Sequence, residues 1–185
     1  MVIQMRDITL TTNRLVLRKF TESDIIKCFE NFGKDEEVGK YLPMYPVESK
    51  EQMGEYIKGY IEAYKQNAYI WVIEEKDTSN PIGYITVDVP YEELEIGEIA
   101  YLLGVKYQGK GYAYEAVSEV VGYLLRKKLL YMIEAKYNIN NVASAHLLSK
   151  VGFKQEAILR DRRIDRETGR RCNMVVSSIT YREII

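Results

Sequence analysis

The feature that most constrains this chain is a glycine-bearing loop between a strand-like run and a helix, in the sequence AYLLGVKYQGKGYAYE at residues 100–115. The apolar run 99–105 predicts a strand, and a helix is predicted to begin at Gly111 or Tyr112. Glycine lets backbone N–H groups approach one point closely, and the N-terminus of a helix attracts anions. We therefore predict that residues 108–113 bind a phosphate-bearing ligand.

Two well-known phosphate-binding patterns fit this loop incompletely. A Rossmann fingerprint would use Gly109 and Gly111, but Tyr114 takes the place of its third glycine. A Walker A loop would run from Gly104 to Lys110, but Gly111 then stands where Ser or Thr must bind magnesium. Hydrolysis of a nucleoside triphosphate is therefore not expected, and a nucleotide-binding protein that uses this loop is the more distant alternative.

A third pattern, Gln/Arg-x-x-Gly-x-Gly/Ala, is filled completely by Gln108, Gly111 and Ala113. With this pattern the stretch resembles the GNAT acyl-CoA N-acetyltransferases, whose loop wraps the pyrophosphate of coenzyme A. The alternative is an ordinary strand-to-helix turn without a ligand. The resemblance implies cofactor contacts by Gln108, Gly109, Lys110, Gly111, Tyr112 and Ala113, and backbone contacts to the pantetheine arm near Tyr101, Leu102 and Leu103.

A second motif lies farther along the chain, where Asn141 and Ser144 form Asn-x-x-Ser and residues 150–153 form Lys-x-Gly-Phe. One helical turn separates Asn141 from Ser144, so the two side chains share a face. Both elements resemble the GNAT family. The resemblance implies that Asn141 contacts the pantetheine arm and that Ser144 protonates or solvates the departing thiolate. The alternative is that Asn141, or its neighbour Asn140, only caps the helix.

Acetyl transfer to an amine requires loss of the amine proton, stabilisation of an oxyanion and accommodation of a thiolate. Direct attack within a ternary complex needs no nucleophile from the enzyme. Glu98 is the candidate base, because it lies on the strand that enters the loop, on the same face as Ala100 and Leu102. Its position resembles that of the base glutamate in other GNAT members, which often acts through water. The alternative is a solvated strand charge like Glu92, Glu93 and Glu95.

The spacing of apolar residues predicts the other elements in order. Strands are predicted at 12–20, 69–74, 82–89, 99–105, 131–137, 153–159 and 174–181. Helices are predicted at 21–31, 49–66, 111–127 and 141–150, and a loop or broken helix at 35–46. The first helix is expected to bury Ile25, Ile26 and Phe29.

The strand–helix–strand unit at 99–137 predicts one parallel pair in a mixed, mostly antiparallel sheet of about seven strands, flanked by helices. This α/β (α+β) order is that of the GNAT fold, and the resemblance covers residues 12–181. The opening Thr12-x-Arg14-Leu15-x-Leu17-Arg18 resembles the RimJ/RimL branch, the ribosomal-protein N-terminal acetyltransferases. One departure is Arg163, which occupies a position where some RimL-like members carry a catalytic glutamate.

Composition narrows the class of protein. With 185 residues, 46% hydrophobic and 29% charged, residues 1–185 are expected to form one soluble domain. The net charge of −1 gives no general attraction to nucleic acid, and no apolar run has the length of a membrane span. Cys28, Cys172 and the single histidine, His146, lack metal-ligand spacing. We expect reduced thiols, no metal and a cytoplasmic location.

Two further features have less specific interpretations. His146 lies about 200° around its helix from Ser144 and is expected to be a surface or packing residue. Six arginines between residues 160 and 171 outnumber three acidic residues there. They are compatible with a site for an acidic partner or with a solvated hairpin, and charge runs usually indicate the latter.

These observations predict an acetyl-coenzyme A-dependent N-acetyltransferase, with a primary amine as the acceptor. The resemblance implies a protein N-terminal α-amine. The alternatives are a small amine such as a polyamine or an aminoglycoside, and a non-catalytic acyl-CoA-binding module on the same fold. A monomer and a homodimer are both compatible with the sequence.

Overall fold

The computed structural model describes residues 8–41, 46–66, 68–166 and 168–184. Its strands are β1 (Leu10–Thr11), β2 (Leu15–Arg18), β3 (Tyr69–Glu75), β4 (Asn80–Tyr91), β5 (Ile96–Leu103), β6 (Met132–Asn138), β7 (Lys154–Ile164) and β8 (Arg171–Thr180). They form one sheet in the order β1-β2-β3-β4-β5-β6-β8-β7. The predicted mixed, mostly antiparallel sheet is confirmed. It has eight strands instead of about seven, because the two-residue β1 is too short to produce an alternating pattern.

The helices are α1 (Ile25–Cys28), α2 (Lys50–Ala63), α3 (Tyr112–Arg126) and α4 (Val142–Val151). The Ser49 side chain accepts a hydrogen bond from the Gln52 N–H and so caps α2. Gly152, with φ +112°, ends α4 in the left-handed conformation that glycine favours. In the predicted loop at 35–46, the structure has turns at 36–41, whereas residues 42–45 lie outside the described ranges. No helix in the described ranges is long and apolar enough to span a membrane.

The first helical segment corrects one prediction. It begins with the 3₁₀ turn Glu22–Asp24 and ends with the π turn Phe29–Gly33, so a single period of 3.6 residues does not describe it. Ile26, predicted to be buried, is 54% exposed. Cys28 and Phe32 are buried instead and pack with α2.

Two hydrophobic cores cover opposite faces of the sheet. The first includes α3 and α4, and the second includes the α1 segment and α2. Side chains alternate along β5: Ile99 and Leu103 belong to the first core and Leu102 to the second. Tyr101 therefore faces α3 and α4, whereas Glu98 is on the face of α1 and α2.

Candidate active site

The parallel pair β5–β6 separates partway along the sheet. Its register covers only three residue pairs, Ile96–Glu98 with Met132–Glu134. Beyond them β5 stays paired with β4 as far as Leu103, and β6 stays paired with β8 as far as Asn138. In the described part of the chain, the facing edges of the two strands therefore open into a gap. Backbone N–H and C=O groups along such a gap need hydrogen-bond partners, and a ligand with amide groups can supply them.

The predicted phosphate loop lies at the end of β5. Gly109 and Gly111 have φ angles of +71° and +81°, and Gly111 is the N-cap of α3. The Gln108 amide donates to the Leu103 carbonyl oxygen over 3.0 Å, which ties the loop to the end of the strand. The Glu115 N–H donates to the Gly111 carbonyl oxygen over 3.1 Å. The backbone N–H groups of the residues before Glu115 have no partner within the helix and point out of its start, where an anion can accept their hydrogen bonds.

Gly104 serves packing instead of phosphate binding. A Cβ atom at this position would lie 2.1 Å from the Asn31 carbonyl oxygen. This close approach brings the end of β5 against the π turn after α1. A Walker A loop would need Gly104 as its first glycine, so the resemblance of this stretch to that pattern comes from a packing requirement.

The start of α4 brings together the residues of the second motif. The Asn141 Oδ1 atom accepts a hydrogen bond from the Ser144 N–H over 3.1 Å, which is the helix cap that the sequence left as an alternative. The Ser144 Oγ atom lies 2.7 Å from the Tyr101 hydroxyl oxygen. Burial raises the pKa of Tyr101 to about 12, while the hydrogen bond with Ser144 opposes this shift. Tyr101 therefore stays protonated at neutral pH, and its hydroxyl can donate to Ser144.

Glu98 lies across the sheet from these hydroxyl groups and has a specific partner. The Lys136 Nζ atom lies 2.5 Å from Glu98 Oε2 and 3.9 Å from Glu134 Oε2. The hydrogen bond from Lys136 to Glu98 raises the pKa of Lys136. Both side chains of the Glu98–Lys136 pair are 36% exposed, so water reaches the pair. Glu98 is thus an ion-paired carboxylate at the start of the gap.

The arginine-rich hairpin divides into two groups. Arg163 and Arg166 are half-buried and donate to the backbone carbonyl oxygens of Tyr41 and Gly39, over 3.1 and 3.3 Å. Burial lowers the pKa of Arg163, and the charge of Arg166 adds to this effect. The other four arginines are exposed: Arg160, Arg162, Arg170 and Arg171. Two arginines therefore attach the hairpin to the segment that follows α1.

The single histidine and the two cysteines have simple surroundings. His146, for which a surface or packing position was predicted, is exposed on α4. Cys28 and Cys172 are free thiols, and burial raises the pKa of Cys28 far above its usual range. Within the described residues, no group of three His, Cys, Asp or Glu side chains is arranged to hold a metal ion.

Comparison with known proteins identifies the family. The model of the acetyltransferase (GNAT) domain matches residues 14–154, most of the chain. The chain belongs to the GNAT acetyltransferase family. It is similar to YoaA, an N-acetyltransferase of Bacillus subtilis (strain 168), with 35% identity over 152 residues, 82% of this chain and 85% of the relative.

Two further similarities refine this assignment. The [ribosomal protein uS5]-alanine N-acetyltransferase of Escherichia coli (strain K12) is 27% identical over 163 residues, 83% of this chain and 82% of that protein. The structure of RimL, a ribosomal-protein alpha-N-acetyltransferase in complex with coenzyme A, superposes with a TM-score of 0.84 at 17% identity, covering 94% of this chain and 98% of that one. At this identity the superposition establishes the fold. The predicted GNAT fold and acetyl-coenzyme A-dependent N-acetyltransferase are confirmed at the level of the family.

Sequence reasoning missed three side chains that contact residues of the candidate site. Tyr101 was assigned only a backbone role, Arg14 was noted only as part of a strand motif, and Lys136 received no role. Each contacts a partner at least 38 residues away in sequence: Ser144, Lys110 and Glu98, respectively. No spacing rule connects residues so far apart, although the motif Thr12-x-Arg14 did mark one of the segments.

Proposed function

We propose that this enzyme transfers the acetyl group of acetyl-coenzyme A to the α-amine of a protein N-terminus. The observation that carries this proposal is the gap between β5 and β6, which has the phosphate loop and Ser144 on one face and Glu98 on the other. Two substrates can approach such a gap from opposite faces and meet inside the sheet. The similarity to an alanine N-acetyltransferase that acts on ribosomal protein uS5 supports a protein acceptor.

The residues present fit acetyl-coenzyme A. The N–H groups of residues 109–113 at the start of α3 suit the pyrophosphate, and the facing edge of β5 at Tyr101, Leu102 and Leu103 suits the amide groups of the pantetheine arm. Asn141 caps α4 beside this edge and can present its amide to the same arm. Acetyl-coenzyme A supplies the activated thioester, so the protein needs only to orient the reactants and move protons.

Three side chains of this enzyme would transfer the protons. Glu98 accepts the proton of the acceptor amine, through a water molecule, since its side chain is partly exposed. The amine nitrogen forms a bond to the acetyl carbon, and the carbon–sulfur bond breaks. Ser144 then donates to the departing thiolate, and the Tyr101 hydroxyl donates in turn to Ser144 Oγ. Positioned acids and bases of this kind contribute roughly 10²–10⁴-fold to a rate.

One observation favours a small polyamine as a second candidate acceptor. Asp88, Glu98 and Glu134 are direct neighbours on three adjacent strands, so their carboxylates lie in one row on the α1–α2 face. Lys136 compensates part of this charge through its contacts with Glu98 and Glu134, and the row keeps a net negative charge that would attract a compound with several ammonium groups. A protein N-terminus with a basic residue close behind it would benefit from the same charges.

The test is an acetylation assay with acetyl-coenzyme A and four acceptors. These are a peptide with a free N-terminal alanine, the same peptide blocked at its N-terminus, spermidine and an aminoglycoside. We expect acetylation of the free peptide with a kcat/KM at least ten times that of any other acceptor. Exclusive acetylation of the small amines would replace the protein acceptor by the second candidate. Binding of acetyl-coenzyme A without turnover on any acceptor would favour the non-catalytic module.

A further inference from the structure

Arg14 connects the N-terminal part of the chain to the start of α3. It lies in the turn between β1 and β2, whereas its partners lie about 100 residues later. The Arg14 Nε atom donates to Glu115 Oε2 and its backbone N–H donates to Glu115 Oε1, both over 2.7 Å. Thr12 Oγ1 donates to Glu115 Oε1 over 2.6 Å. Partial burial opposes ionisation, but these hydrogen bonds lower the pKa of Glu115.

The same guanidinium reaches the phosphate loop itself. Arg14 Nη1 donates to the Lys110 carbonyl oxygen over 2.9 Å. The guanidinium carbon also lies 4.4 Å from the centre of the Tyr112 ring. A Cβ atom at Gly111 would lie 3.4 Å from Arg14 Nη2. Arg14 therefore contacts the loop immediately before and immediately after the glycine that caps α3.

Peptide geometry gives the contact with Lys110 a specific consequence. The carbonyl of Lys110 and the N–H of Gly111 belong to one planar trans peptide, in which they point in opposite directions. When Arg14 holds the carbonyl on its own side, the N–H of Gly111 is directed to the other side. The left-handed φ of +81° at Gly111 keeps this peptide in place as α3 begins.

Charge supplies a second consequence. Glu115 lies in the first turn of α3, where a carboxylate interacts favourably with the helix dipole but repels a bound phosphate. The salt bridge with Arg14 compensates that negative charge. A lysine could keep the charge but could not donate to Glu115 and to the Lys110 carbonyl in the same planar fork.

We propose that Arg14 is a positioning residue for the pyrophosphate: it orients the Gly111 N–H by holding the Lys110 carbonyl and compensates the charge of Glu115. This inference rests on the proposed binding of acetyl-coenzyme A at the loop. It gives a role to the arginine of the motif Thr12-x-Arg14, which sequence analysis treated only as part of a strand.

The first test compares Arg14→Gln and Arg14→Lys with the wild type by calorimetric titration of acetyl-coenzyme A. We expect the dissociation constant to rise about ten-fold to 10²-fold in Arg14→Gln, since hydrogen bonds of a charged group are lost. In Arg14→Lys the logarithm of the dissociation constant should rise by at least half of the increase seen in Arg14→Gln. An Arg14→Lys variant that binds like the wild type would overturn the proposal, because charge alone would then suffice.

The second test uses S-acetyl-pantetheine, which has the thioester and the pantetheine arm but no pyrophosphate. Its kcat/KM should change less than two-fold in Arg14→Gln, while kcat/KM for acetyl-coenzyme A falls at least ten-fold. Equal losses for both donors would make Arg14 a general structural residue and overturn the proposal. Thermal unfolding of each variant shows whether the protein remains folded at the assay temperature.

A matched control removes another cation that contacts the same turn. Lys76, which follows β3, donates from Nζ to the Thr12 carbonyl oxygen over 2.5 Å. Lys76→Gln should leave the dissociation constant of acetyl-coenzyme A unchanged, and an equal loss in Lys76→Gln would contradict a specific role of Arg14. If the wild-type protein did not bind acetyl-coenzyme A, the proposed function itself would be refuted. If the wild type bound it and only the Arg14 variants behaved differently from expectation, the inference about Arg14 alone would fail.

Discussion

The two faces of β5 differ in how their functional residues are assembled. On the α3–α4 face, the phosphate loop and the start of α4 are shaped by short-range hydrogen bonds: Gln108 bonds to Leu103 five residues away, and Asn141 to Ser144 three residues away. Long-range contacts, such as Tyr101 with Ser144, then join these local motifs. On the α1–α2 face the hydrogen bonds of the candidate site are long-range, and Arg163 reaches Tyr41 across 122 residues. Local sequence motifs therefore indicate part of the first face, whereas none indicates the second.

This difference has a functional interpretation. Under the proposed function, the α3–α4 face is the donor face, which binds acetyl-coenzyme A, and its loop and helix cap are local motifs. The α1–α2 face is the acceptor face, which would select the amine, and it is built from separate strands and from the segment after α1. We expect substitutions on the two faces to separate donor binding from catalysis and acceptor binding.

The largest effect is expected from Glu98→Gln on the acceptor face. Loss of the base should lower kcat roughly 10²–10⁴-fold, while the dissociation constant of acetyl-coenzyme A stays within two-fold of wild type. Steady-state kinetics and calorimetric titration measure the two quantities. Glu134→Gln is the matched control, because Glu134 is the direct neighbour of Glu98 on β6. Equal losses in kcat for both variants would remove Glu98 from its proposed role.

Ser144→Ala tests the hydroxyl groups on the donor face. We expect kcat to fall about 10²-fold, because the departing thiolate loses its proton donor. Tyr101→Phe leaves Ser144 in place but removes its partner, so a loss of about ten-fold is expected, in line with one hydrogen bond. Ser149→Ala, at an exposed position of the same helix, should retain wild-type kcat. A Ser144→Ala enzyme with full activity would show that solvent protonates the thiolate.

Gly111→Ala changes only the phosphate loop and so tests donor binding separately from acceptor binding. A side chain in the left-handed conformation costs roughly 1–2 kcal/mol, and the loop can relieve this strain by turning its N–H groups away. The dissociation constant of acetyl-coenzyme A should rise about ten-fold. Gly169→Ala introduces similar strain at φ +65° in the distant β7–β8 hairpin and should not change that constant. Equal effects of both variants would mean that the loss reflects stability alone.

The smallest effect is expected from Arg163→Gln. This change removes the hydrogen bond to the Tyr41 carbonyl and should raise the KM for the acceptor about three-fold to ten-fold, with donor binding unchanged. Arg162→Gln is the control, since Arg162 is exposed on the same strand. If Arg163→Gln changed the dissociation constant of acetyl-coenzyme A and left the KM for the acceptor normal, the assignment of the acceptor to the α1–α2 face would be contradicted.

The sequence predicted most of the fold because alternation and helical periodicity are local. The bounds of α3 and the left-handed Gly152 after α4 followed from such patterns. The errors arose where geometry departs from a single period, as at Ile26 in a segment that combines 3₁₀, α and π turns.

For the candidate site, the conformation of the glycine loop could be predicted and the ion pair could not. Gly109 and Gly111 have positive φ angles, which glycine adopts readily, so the residue type alone indicates the conformation. The pairing of Glu98 with Lys136 depends on the register of β5 against β6, which no local pattern determines. The contact of Arg14 with Lys110 likewise requires the β1–β2 turn to lie beside α3.

Hydrogen exchange of the wild-type protein, with and without acetyl-coenzyme A, tests the central claim most directly. Binding on the donor face should slow exchange of backbone amides at residues 99–103 and 108–113 and leave residues 34–41 unchanged. Unchanged exchange at residues 108–113 in the presence of saturating acetyl-coenzyme A, or protection confined to residues 34–41, would contradict the account.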